Sequence, residues 1–540
     1  PFWLKPFALF RQAQLVPALR MTLMDAPPML VLAPAAIGSF GKQIEASVQA
    51  ALRRPRAQLI AWGMGLAAGS VLIAGWRLWR QTSRLQRFRQ VPGRLPWIGN
   101  YELLDVDHAV ETVEGWARKY GEEGIFEISI AGERMVVICN YEQSKPLLAL
   151  RPFKVARSQR IKKLGLTDMI QGVFNAEGRQ WSAHRRLVAP AFNANAIESY
   201  KLGVHEIIGN LLDEIDKRVV SGELANMSLL AQSFSADNIS KLAFGEDFGS
   251  LSRYSAELAD FDIYSKSGMK RFMSPIPYWK VPGLGSLIDG GDAALARLFQ
   301  RFHSILDRRS DLRAATLLQK LVEAEGGKLT HEEVIGNVIN IFIAGMDTTS
   351  HALTWAFYHL SRQPELQRAV AAEVVGLSDG PAAAEQIKAL SMTQAVWTET
   401  LRLNSVLPML FFTTQEPISL HGREIPTGTE IALLTREVCR TSCAMQEAIG
   451  SDLDTFRPAR WLAPGGGLVS CAPFDSLAFG HGARKCIGMD LVNLYGPWVL
   501  AEVVRRFHIA EWEGPPMKEK TTIMQQPAQD VHLRFSRRSP

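Results

Sequence analysis

The chain has 540 residues, a formal net charge of +6, 47% hydrophobic residues and 21% charged residues, which is the balance of an ordinary folded globular protein. A charge this mild, without any basic tract that carries interleaved aromatic residues, argues against a nucleic-acid-binding protein. The five cysteines are few and scattered, so the sequence contains no disulfide framework and indicates a reducing compartment.

The first predicted element is a membrane-spanning helix. Residues 59–76 contain no charged side chain, and their number is close to the lower limit of about 17 residues for a bilayer span. Tryptophans lie near both ends, and arginine clusters flank both sides, the heavier one after the span. We therefore expect a transmembrane anchor over 59–79 with the downstream chain in the cytosol. A buried Gly/Ala-rich core helix is the alternative.

The segments on either side of this span have different characters. Residues 1–58 fit a targeting segment, a lumenal tail or a misassigned start of the chain, and the sequence leaves these open. Residues 80–100 are basic and Pro-rich and predict a stiff, non-helical hinge. From 101 to 540 we expect one long domain, because no repeat or low-complexity linker interrupts it.

Within that domain, helical periodicity dominates and strands are few. Residues 125–138 alternate and turn at Ala131-Gly132, which predicts a β-hairpin. A second β region is predicted over 418–431 and a third over 530–535. Clear helical segments include 204–219, 294–308 and 366–377. The fold class is therefore mainly α with small β-sheets.

A helix predicted from His331 contains an unusual polar interruption. Ala344 and Gly345 remove side-chain bulk, and Asp347 and Thr348 bring polar groups into an apolar stretch. Small residues let a flat ligand approach the backbone, and a threonine hydroxyl can perturb the helical hydrogen bonds. The alternative is a helix end, with Asp347 capping whatever follows.

Four further motifs carry possible chemistry. The sequence FGHGARKCIG, residues 479–488, presents Cys486 from what reads as a tight glycine-rich loop. The other three would, taken alone, fit solvated helix faces or surface pairs. They are Trp181 with Arg185 in WSAHRRL, Glu399 with Arg402 in TETLRL, and the Pro-containing segment FRPARW, residues 456–461.

Together these motifs resemble the cytochrome P450 family. Phe479, Gly482, Arg484, Cys486 and Gly488 match its Phe-x-x-Gly-x-Arg-x-Cys-x-Gly signature, which is highly specific. The remaining segments follow in the family's order and resemble its C-helix, oxygen-binding I-helix, K-helix and meander motifs. The resemblance covers roughly residues 90 to 540 and implies the cytochrome P450 fold, here preceded by a single transmembrane helix as in the membrane-anchored eukaryotic members.

The resemblance implies a haem b (iron protoporphyrin IX) cofactor with Cys486 as the axial iron ligand, because a thiolate favours O–O cleavage. Glycines at 482 and 488 and the following helix start would stabilise the sulfur, and Phe479 would shield it. Haem propionates would be held by Arg484, Trp181 and Arg185. The family often places another basic residue just after residues 405–412, where this chain has Thr413 and Thr414.

The remaining motif residues take their roles from the same resemblance. Ala344 and Gly345 would make room for O2. Asp347 and Thr348 would relay protons to it, as the residues that carry catalysis. A structural group would tie the cysteine loop in place, formed by Glu399 and Arg402 with Arg457 or Arg460.

The implied reaction is monooxygenation, that is, insertion of one oxygen atom of O2 into a substrate by hydrogen abstraction and rebound. No flavin- or nicotinamide-binding unit follows the haem domain, so electrons from NADPH must arrive through a partner. The partner is an NADPH-cytochrome P450 reductase or a ferredoxin-type donor, steered by a basic patch. The residues expected in that patch are Lys485, Arg457, Arg460, Arg505 and Arg506.

Apolar candidate pocket segments at 164–174, 273–285 and 405–412 predict a lipophilic small-molecule substrate delivered from a membrane, such as a fatty acid, sterol or isoprenoid. We expect an endoplasmic-reticulum location with the catalytic domain in the cytosol; a plastid or mitochondrial membrane is the alternative. Two other functions stay open at this point. They are a haem-thiolate isomerase or dehydratase acting on a lipid peroxide, which usually lacks a threonine such as Thr348, and a non-catalytic haem-binding protein.

Overall fold

The computed structural model describes residues 88–95, 98–162, 170–245, 247–253, 255–274, 276–307, 316–323, 328–377, 380–521 and 524–538. The predicted membrane span and the segment before it lie outside these residues, as do residues 80–87 and 96–97 of the predicted hinge. Among the residues that are described, no helix is both long and apolar enough to cross a lipid bilayer. The anchor over 59–79 therefore stays a prediction.

Helices dominate the described part of the chain, as the sequence predicts. The three segments predicted as helical fall on the helices named below as α5, α9 and α12, and the last ends at Val374. The helices are α1 Ala109–Tyr120, α2 Tyr141–Ala149, α3 Gln159–Lys162, α4 Gly178–Val188, α5 Ala194–Ser221, α6 Met227–Phe244, α7 Ala256–Met273, α8 Leu284–Ile288, α9 Gly291–Asp307, α10 Leu317–Glu323, α11 His331–Arg362, α12 Pro364–Val374, α13 Ala384–Ala389, α14 Ser391–Leu403, α15 Thr435–Thr441, α16 Cys443–Ile449, α17 Ala472–Leu477 and α18 Met489–Arg506.

The strands are short and lie beside this helical body. Seven of them form one sheet in the order β1-β2-β3-β4-β10-β7-β5, and the others form two-stranded sheets. The strands are β1 Arg94–Leu95, β2 Gly99–Asn100, β3 Ile125–Ile130, β4 Glu133–Ile138, β5 Val155–Arg157, β6 Ala225–Asn226, β7 Leu410–Thr414, β8 Ile418–Leu420, β9 Arg423–Ile425, β10 Glu430–Leu433, β11 Phe507–Ile509, β12 Glu519–Thr521, β13 Gln525–Pro527, β14 His532–Leu533 and β15 Phe535–Arg537.

The hairpin predicted over 125–138 is confirmed as β3 and β4. Its two-residue turn has positive φ at both positions, 48° at Ala131 and 76° at Gly132, which is the turn geometry that matches the twist of paired strands. The ladder runs in register from Ile125 opposite Ile138 to Ile130 opposite Glu133. The second and third predicted β regions are also present, as β8 to β10 and as β14 to β15.

Helix α11 is the long central helix of the domain. It begins with a capping box in which the Thr330 side chain accepts from the Glu333 N–H and Glu333 accepts from the Thr330 N–H. Nearly all of its residues are buried, and it packs along α6. The helix continues unbroken past Asp347 to Arg362, so the alternative of a helix end at Asp347 is wrong.

The largest core cluster joins α11 to α5, α6, α14 and α18. Helix α18 begins at Met489, directly after the loop that carries Cys486. Its buried Tyr495 hydroxyl lies 3.0 Å from the hydroxyl of Thr349 on α11. This contact fixes the helix that follows the cysteine loop against the middle of the central helix, where the polar interruption lies.

Candidate functional site

The cysteine loop is closed by a backbone hydrogen bond. The Cys486 N–H donates to the Phe479 carbonyl over 2.8 Å, which makes residues 479 to 486 a compact turn. Gly482 lies in this turn with φ of 69°, a conformation that favours glycine. The structure therefore supports the interpretation of this motif as a tight loop that presents the sulfur.

Cys486 keeps some exposed surface, while protein groups crowd around its sulfur and affect its charge. Burial raises the pKa of the Cys486 thiol, while hydrogen bonds from the backbone N–H groups of Gly488 and Met489 and the positive charge of Arg185 lower it. These N–H groups belong to the start of α18, where the helix dipole also favours an anion. Gly488 has φ of −88°, so the structure shows its N–H contact but no backbone need for glycine there.

Three of the other cysteines are poor candidates for an anionic ligand. Burial raises the pKa of Cys139 and of Cys439 to about 12, and burial also raises the pKa of Cys471. Cys443 is exposed at the first residue of α16, on a helix too short to offer a defined anion site. The geometry of Cys486 is thus the one that suits a thiolate ligand of iron.

A cluster of three partly buried arginines lies beside this loop. Burial, followed by repulsion from neighbouring arginines, lowers the pKa of Arg151 to about 10 and that of Arg157 to about 9. Burial also lowers the pKa of Arg484, which pairs with Glu177 at 2.5 Å. One carboxylate therefore faces three guanidinium groups, and the cluster carries excess positive charge.

Several N–H groups of this arginine cluster point at no acceptor. Among the described residues, no hydrogen-bond partner is found for Nε of Arg484, Nε of Arg157, or Nε and Nη2 of Arg151. Buried charged donors without partners are costly. An anionic group with several oxygens, such as a pair of haem propionates, would satisfy them, so the residues present fit the cofactor that the family resemblance implies.

The sequence pointed to only one of these three arginines. Arg151 lies in the turn before β5, with its guanidinium 4.8 Å from the ring centroid of Phe412, and Arg157 is the last residue of β5. Strand β5 pairs with β7, so Arg157 lies opposite Phe412 and next to Thr413. The two additional basic side chains thus come from the turn before β5 and from β5 itself, which no local motif could reveal.

The next two predicted site residues are Trp181 and Arg185, which are expected to bind the same group as Arg484. The Trp181 ring is buried, and the Arg484 guanidinium lies 4.6 Å from its centroid. Burial lowers the pKa of Arg185, and the charge of Cys486 raises it, which places Arg185 close to the sulfur. Phe479 is half-buried at the start of the cysteine loop.

The polar residues of α11 face different surroundings. Ala344 is exposed and Thr348 is half-buried in the middle of an otherwise buried helix, and the Thr348 hydroxyl donates to the Ala344 carbonyl over 2.7 Å. Asp347 is buried, and burial raises its pKa. A Cβ on Gly345 would come 2.8 Å from the side chain of Ile239 on α6. Gly345 is thus explained by helix packing, and its part in making room for O2 stays a prediction.

The predicted structural group is assembled around Glu399, which is fully buried. Its carboxylate pairs with Arg402 at 2.8 Å and with Arg460 at 3.1 Å. Arg457 contacts it through its backbone N–H over 2.9 Å. The Trp461 indole N–H also donates to Glu399 over 2.8 Å, a contact that the sequence analysis missed.

The predicted basic patch for a redox partner is smaller than expected. The Arg460 guanidinium is only 1% exposed and binds Glu399, so its placement in a surface patch is wrong. The exposed guanidinium of Arg457 pairs with Asp452, and Arg505 pairs with Glu502. Lys485, next to the cysteine, is half-buried.

Comparison with known proteins shows the family of the chain. The family model described as Cytochrome P450 matches residues 90–534. Similar proteins include rat "25-hydroxyvitamin D-1 alpha hydroxylase, mitochondrial", 29% identical over 67% of this chain and 76% of the relative. Human "Sterol 26-hydroxylase, mitochondrial" is 26% identical over 69% of this chain and 73% of the relative.

A plant relative shows similar likeness. "Cytochrome P450 CYP94D108" of Paris polyphylla is 28% identical over 66% of this chain and 74% of its own length. The family match covers most of the chain, including every motif on which the resemblance was based. The chain therefore belongs to the cytochrome P450 family and is a monooxygenase of the oxidoreductase class.

Proposed function

We propose that this monooxygenase binds haem b through Cys486 and inserts one oxygen atom of O2 into a lipophilic small molecule. The observation that carries the proposal is the pairing of two features. A cysteine sulfur receives two backbone N–H hydrogen bonds at a helix start, and a nearby arginine cluster has N–H donors left over. An iron porphyrin with two carboxylates matches both.

In this proposal the haem supplies the iron that binds and activates O2, and the chain supplies position and protons. Cys486 holds the iron, while Arg151, Arg157 and Arg484 hold the propionates. The Thr348 hydroxyl lies on the accessible face of α11 beside Ala344 and orients the proton delivered there. Asp347 stores that proton, because burial favours its protonated form.

The substrate class follows from the pocket segments and the relatives. Met409 and Phe411 are half-buried apolar residues, and Phe411 lies 4.7 Å from Phe272 between ring centroids. Two of the relatives are named as hydroxylases of a sterol and of 25-hydroxyvitamin D. We infer that the substrate is a sterol or another lipid of similar size, of the fatty acid or isoprenoid class, and that the enzyme serves lipid metabolism.

The relatives also bear on location and electron donor. Those two are named as mitochondrial proteins, which favours the mitochondrial alternative over the endoplasmic reticulum. We infer a ferredoxin-type donor rather than an NADPH-cytochrome P450 reductase, with NADPH as the ultimate electron source. Residues 1–58 then serve as a targeting segment.

The test uses the purified holoenzyme in two steps. A panel of sterols, fatty acids and isoprenoids is titrated for the spin-state change that accompanies substrate binding at the iron. The best binder is then incubated with O2 and NADPH plus either ferredoxin and its reductase or the NADPH-cytochrome P450 reductase. We expect a hydroxylated product only with ferredoxin. Product from a lipid hydroperoxide without any electron donor would instead show an isomerase or dehydratase.

A further inference from the structure

A polar cleft lies on the side of α11 that carries Asp347. It has a volume of about 300 Å³ and is bordered by α6, α7, α11 and the segments around β12 and β13. Its polar and charged lining residues include Gln232, Asp262, Lys266, Asp347, His351, Lys520, Gln526 and Asp530. A lining of this kind holds water, because water needs two to four polar partners.

Two titratable groups on α11 meet at the wall of this cleft. His351 follows Asp347 by one helical turn, and His351 Nδ1 lies 3.7 Å from Asp347 Oδ1. The side chains are 14% and 7% exposed, respectively. At 3.7 Å the two atoms are neighbours but lie beyond hydrogen-bond distance in this conformation.

The other ring nitrogen of His351 is fixed by a neighbour. His351 Nε2 lies 2.9 Å from Gln526 Oε1, and because a carbonyl oxygen only accepts, Nε2 carries the hydrogen. Nδ1 then faces Asp347, and among the described residues it has no hydrogen-bond partner. Nδ1 and the Asp347 carboxyl can therefore hold one proton between them, on either atom.

We propose that Asp347 and His351 share one proton and that His351 reloads Asp347 from the water of this cleft. The inference rests on the proposed function, which consumes two protons and two electrons for each O2 reduced to one hydroxyl oxygen and one water. When Asp347 gives the shared proton toward the Thr348 side, the pair is left as a carboxylate and a ring whose Nδ1 carries no proton, and Nδ1 is the atom that takes up the next proton and passes it to the carboxylate. A proton from cleft water then restores the pair, and Nε2–H stays on Gln526.

The charged groups facing the pair come from three other elements. Asp262 and Lys266 lie on α7, Lys520 lies on β12, and Asp530 precedes β14. Asp262 accepts a hydrogen bond from Gln232 over 3.1 Å, and its charge adds to burial in raising the pKa of Asp347. The two acids and the two lysines cancel in formal charge, so the lining of the cleft favours neither a positive nor a negative ion. In this proposal, protons pass from the cleft inward through the pair.

His351 acts through Asp347 and is a positioning residue, so its test needs a measurement that a packing role would not change. His351→Gln keeps an amide N–H for Gln526 but cannot carry a proton. We expect the rate of product formation to fall by about 10-fold, less than the 10² to 10⁴ contributed by a general acid itself. The solvent deuterium isotope effect on that rate should rise, while the spin-state change on substrate binding stays the same. His421→Gln, at an exposed histidine, is the matched control and should change neither quantity.

A second measurement does not depend on turnover. In the diamagnetic ferrous carbon monoxide complex, the ¹⁵N signal of His351 Nδ1 reports whether that nitrogen carries a proton. We expect Asp347→Asn to shift this signal toward a nitrogen without a shared proton, and the signals of the other histidines to stay in place. An unchanged Nδ1 signal, or an unchanged isotope effect in His351→Gln, overturns the proposal. Lack of product from the wild-type enzyme would contradict only the proposed function, because the ¹⁵N result decides the shared proton independently.

Discussion

At the scale of single residues, the neighbours Thr348 and Thr349 have separate tasks. The Thr348 hydroxyl donates to the carbonyl of Ala344 on the accessible face of α11, whereas the Thr349 hydroxyl contacts Tyr495 in the core. Only the first can take part in proton delivery. We predict that Thr348→Ala leaves substrate binding intact but releases hydrogen peroxide in place of hydroxylated product, as measured per NADPH oxidised.

The structure also indicates the right control for this experiment. Replacing Thr349 by alanine would leave the buried Tyr495 hydroxyl without its partner, so a loss of activity could reflect misfolding. Thr349→Ser keeps the hydroxyl and should keep the product yield. If Thr348→Ala retains full product yield per NADPH, this hydroxyl has no part in proton delivery.

Arg157 tests whether the arginine cluster is built for an anion. Because burial and repulsion from Arg151 and Arg484 lower its pKa, Arg157→Met should stabilise the haem-free protein. The same change should speed haem release by about 10- to 100-fold, since a hydrogen bond to a charged group contributes about 1.5 to 3 kcal/mol. Urea midpoints of the apoprotein and haem transfer to apomyoglobin measure the two effects.

The exposed Arg186, on α4, provides the control for that prediction. Arg186→Met should leave both the urea midpoint and the haem release rate unchanged. Loss of apoprotein stability together with unchanged haem release in Arg157→Met would show that Arg157 is only a structural residue.

Motif spacing could predict the residues that act within one loop or one helical turn, such as Cys486 in its loop and Glu399 with Arg402. It could not predict Arg151, Arg157 or His351. These side chains acquire their significance from strands and helices distant in sequence, as when β5 brings Arg157 beside Thr413. The local sequence of each is that of an ordinary charged residue.

At the scale of elements, α11 approaches the loop before α4 so closely that two glycines are required. A Cβ on Gly336 would overlap the backbone of Gln171, and a Cβ on Gly172 would come 2.8 Å from the Gly336 carbonyl oxygen. The same loop supplies the Val173 and Ala176 carbonyls that accept from Arg484. The contact therefore positions Arg484, which belongs to the proposed haem-binding group.

This contact determines whether replacing Gly336 by alanine stabilises or destabilises the protein. Alanine is favoured over glycine inside a helix by about 1 kcal/mol, so Gly336→Ala would stabilise the protein if the site were open. We predict destabilisation by about 1 to 3 kcal/mol because of the overlap, measured by chemical denaturation. Gly209 on α5 is the control, since no atom of the described residues lies within 4 Å of its Cβ position, apart from its chain neighbours and the backbone of its own helix. Gly209→Ala should stabilise, and equal effects at both sites would contradict the close approach.

His359, near the end of α11, makes the stability of the protein depend on pH. It stacks on Phe456 at 3.8 Å between ring centroids, and burial lowers its pKa from 6.5 to about 4. The folded state therefore prefers the neutral ring, and the unfolded state binds the proton first as the pH falls below 6.5. The contribution of His359 to the free energy of unfolding is therefore present in full above pH 6.5. It is lost as the pH falls from 6.5 to about 4, which lowers the free energy of unfolding by about 3 kcal/mol.

His359→Phe removes this titration while keeping a ring to stack on Phe456. We predict that the free energy of unfolding of the variant falls less steeply than that of the wild type from pH 6.5 to 4, as measured by urea denaturation at several pH values. Identical slopes for the two proteins would mean that His359 is not held neutral in the folded state.

At the scale of the whole molecule, the fold class and the positions of most helices and strands follow from the hydrophobic periodicity of the sequence. The hairpin at 125–138 is predictable because alternation and a turn lie together in one segment. The seven-strand sheet order is not, because β10 joins β4 and β7 joins β5 across long stretches of chain. The polar cleft beside Asp347 is likewise a product of tertiary packing between four separate regions.

The central claim, that this monooxygenase holds its haem through Cys486, is tested most directly by the carbon monoxide spectrum of the reduced protein. Five single variants, Cys→Ser at Cys139, Cys439, Cys443, Cys471 and Cys486, are compared with the wild type. A strongly red-shifted band should be present in the wild type and in the first four variants and absent in Cys486→Ser. If the band survives in Cys486→Ser and disappears in one of the other variants, the account is contradicted.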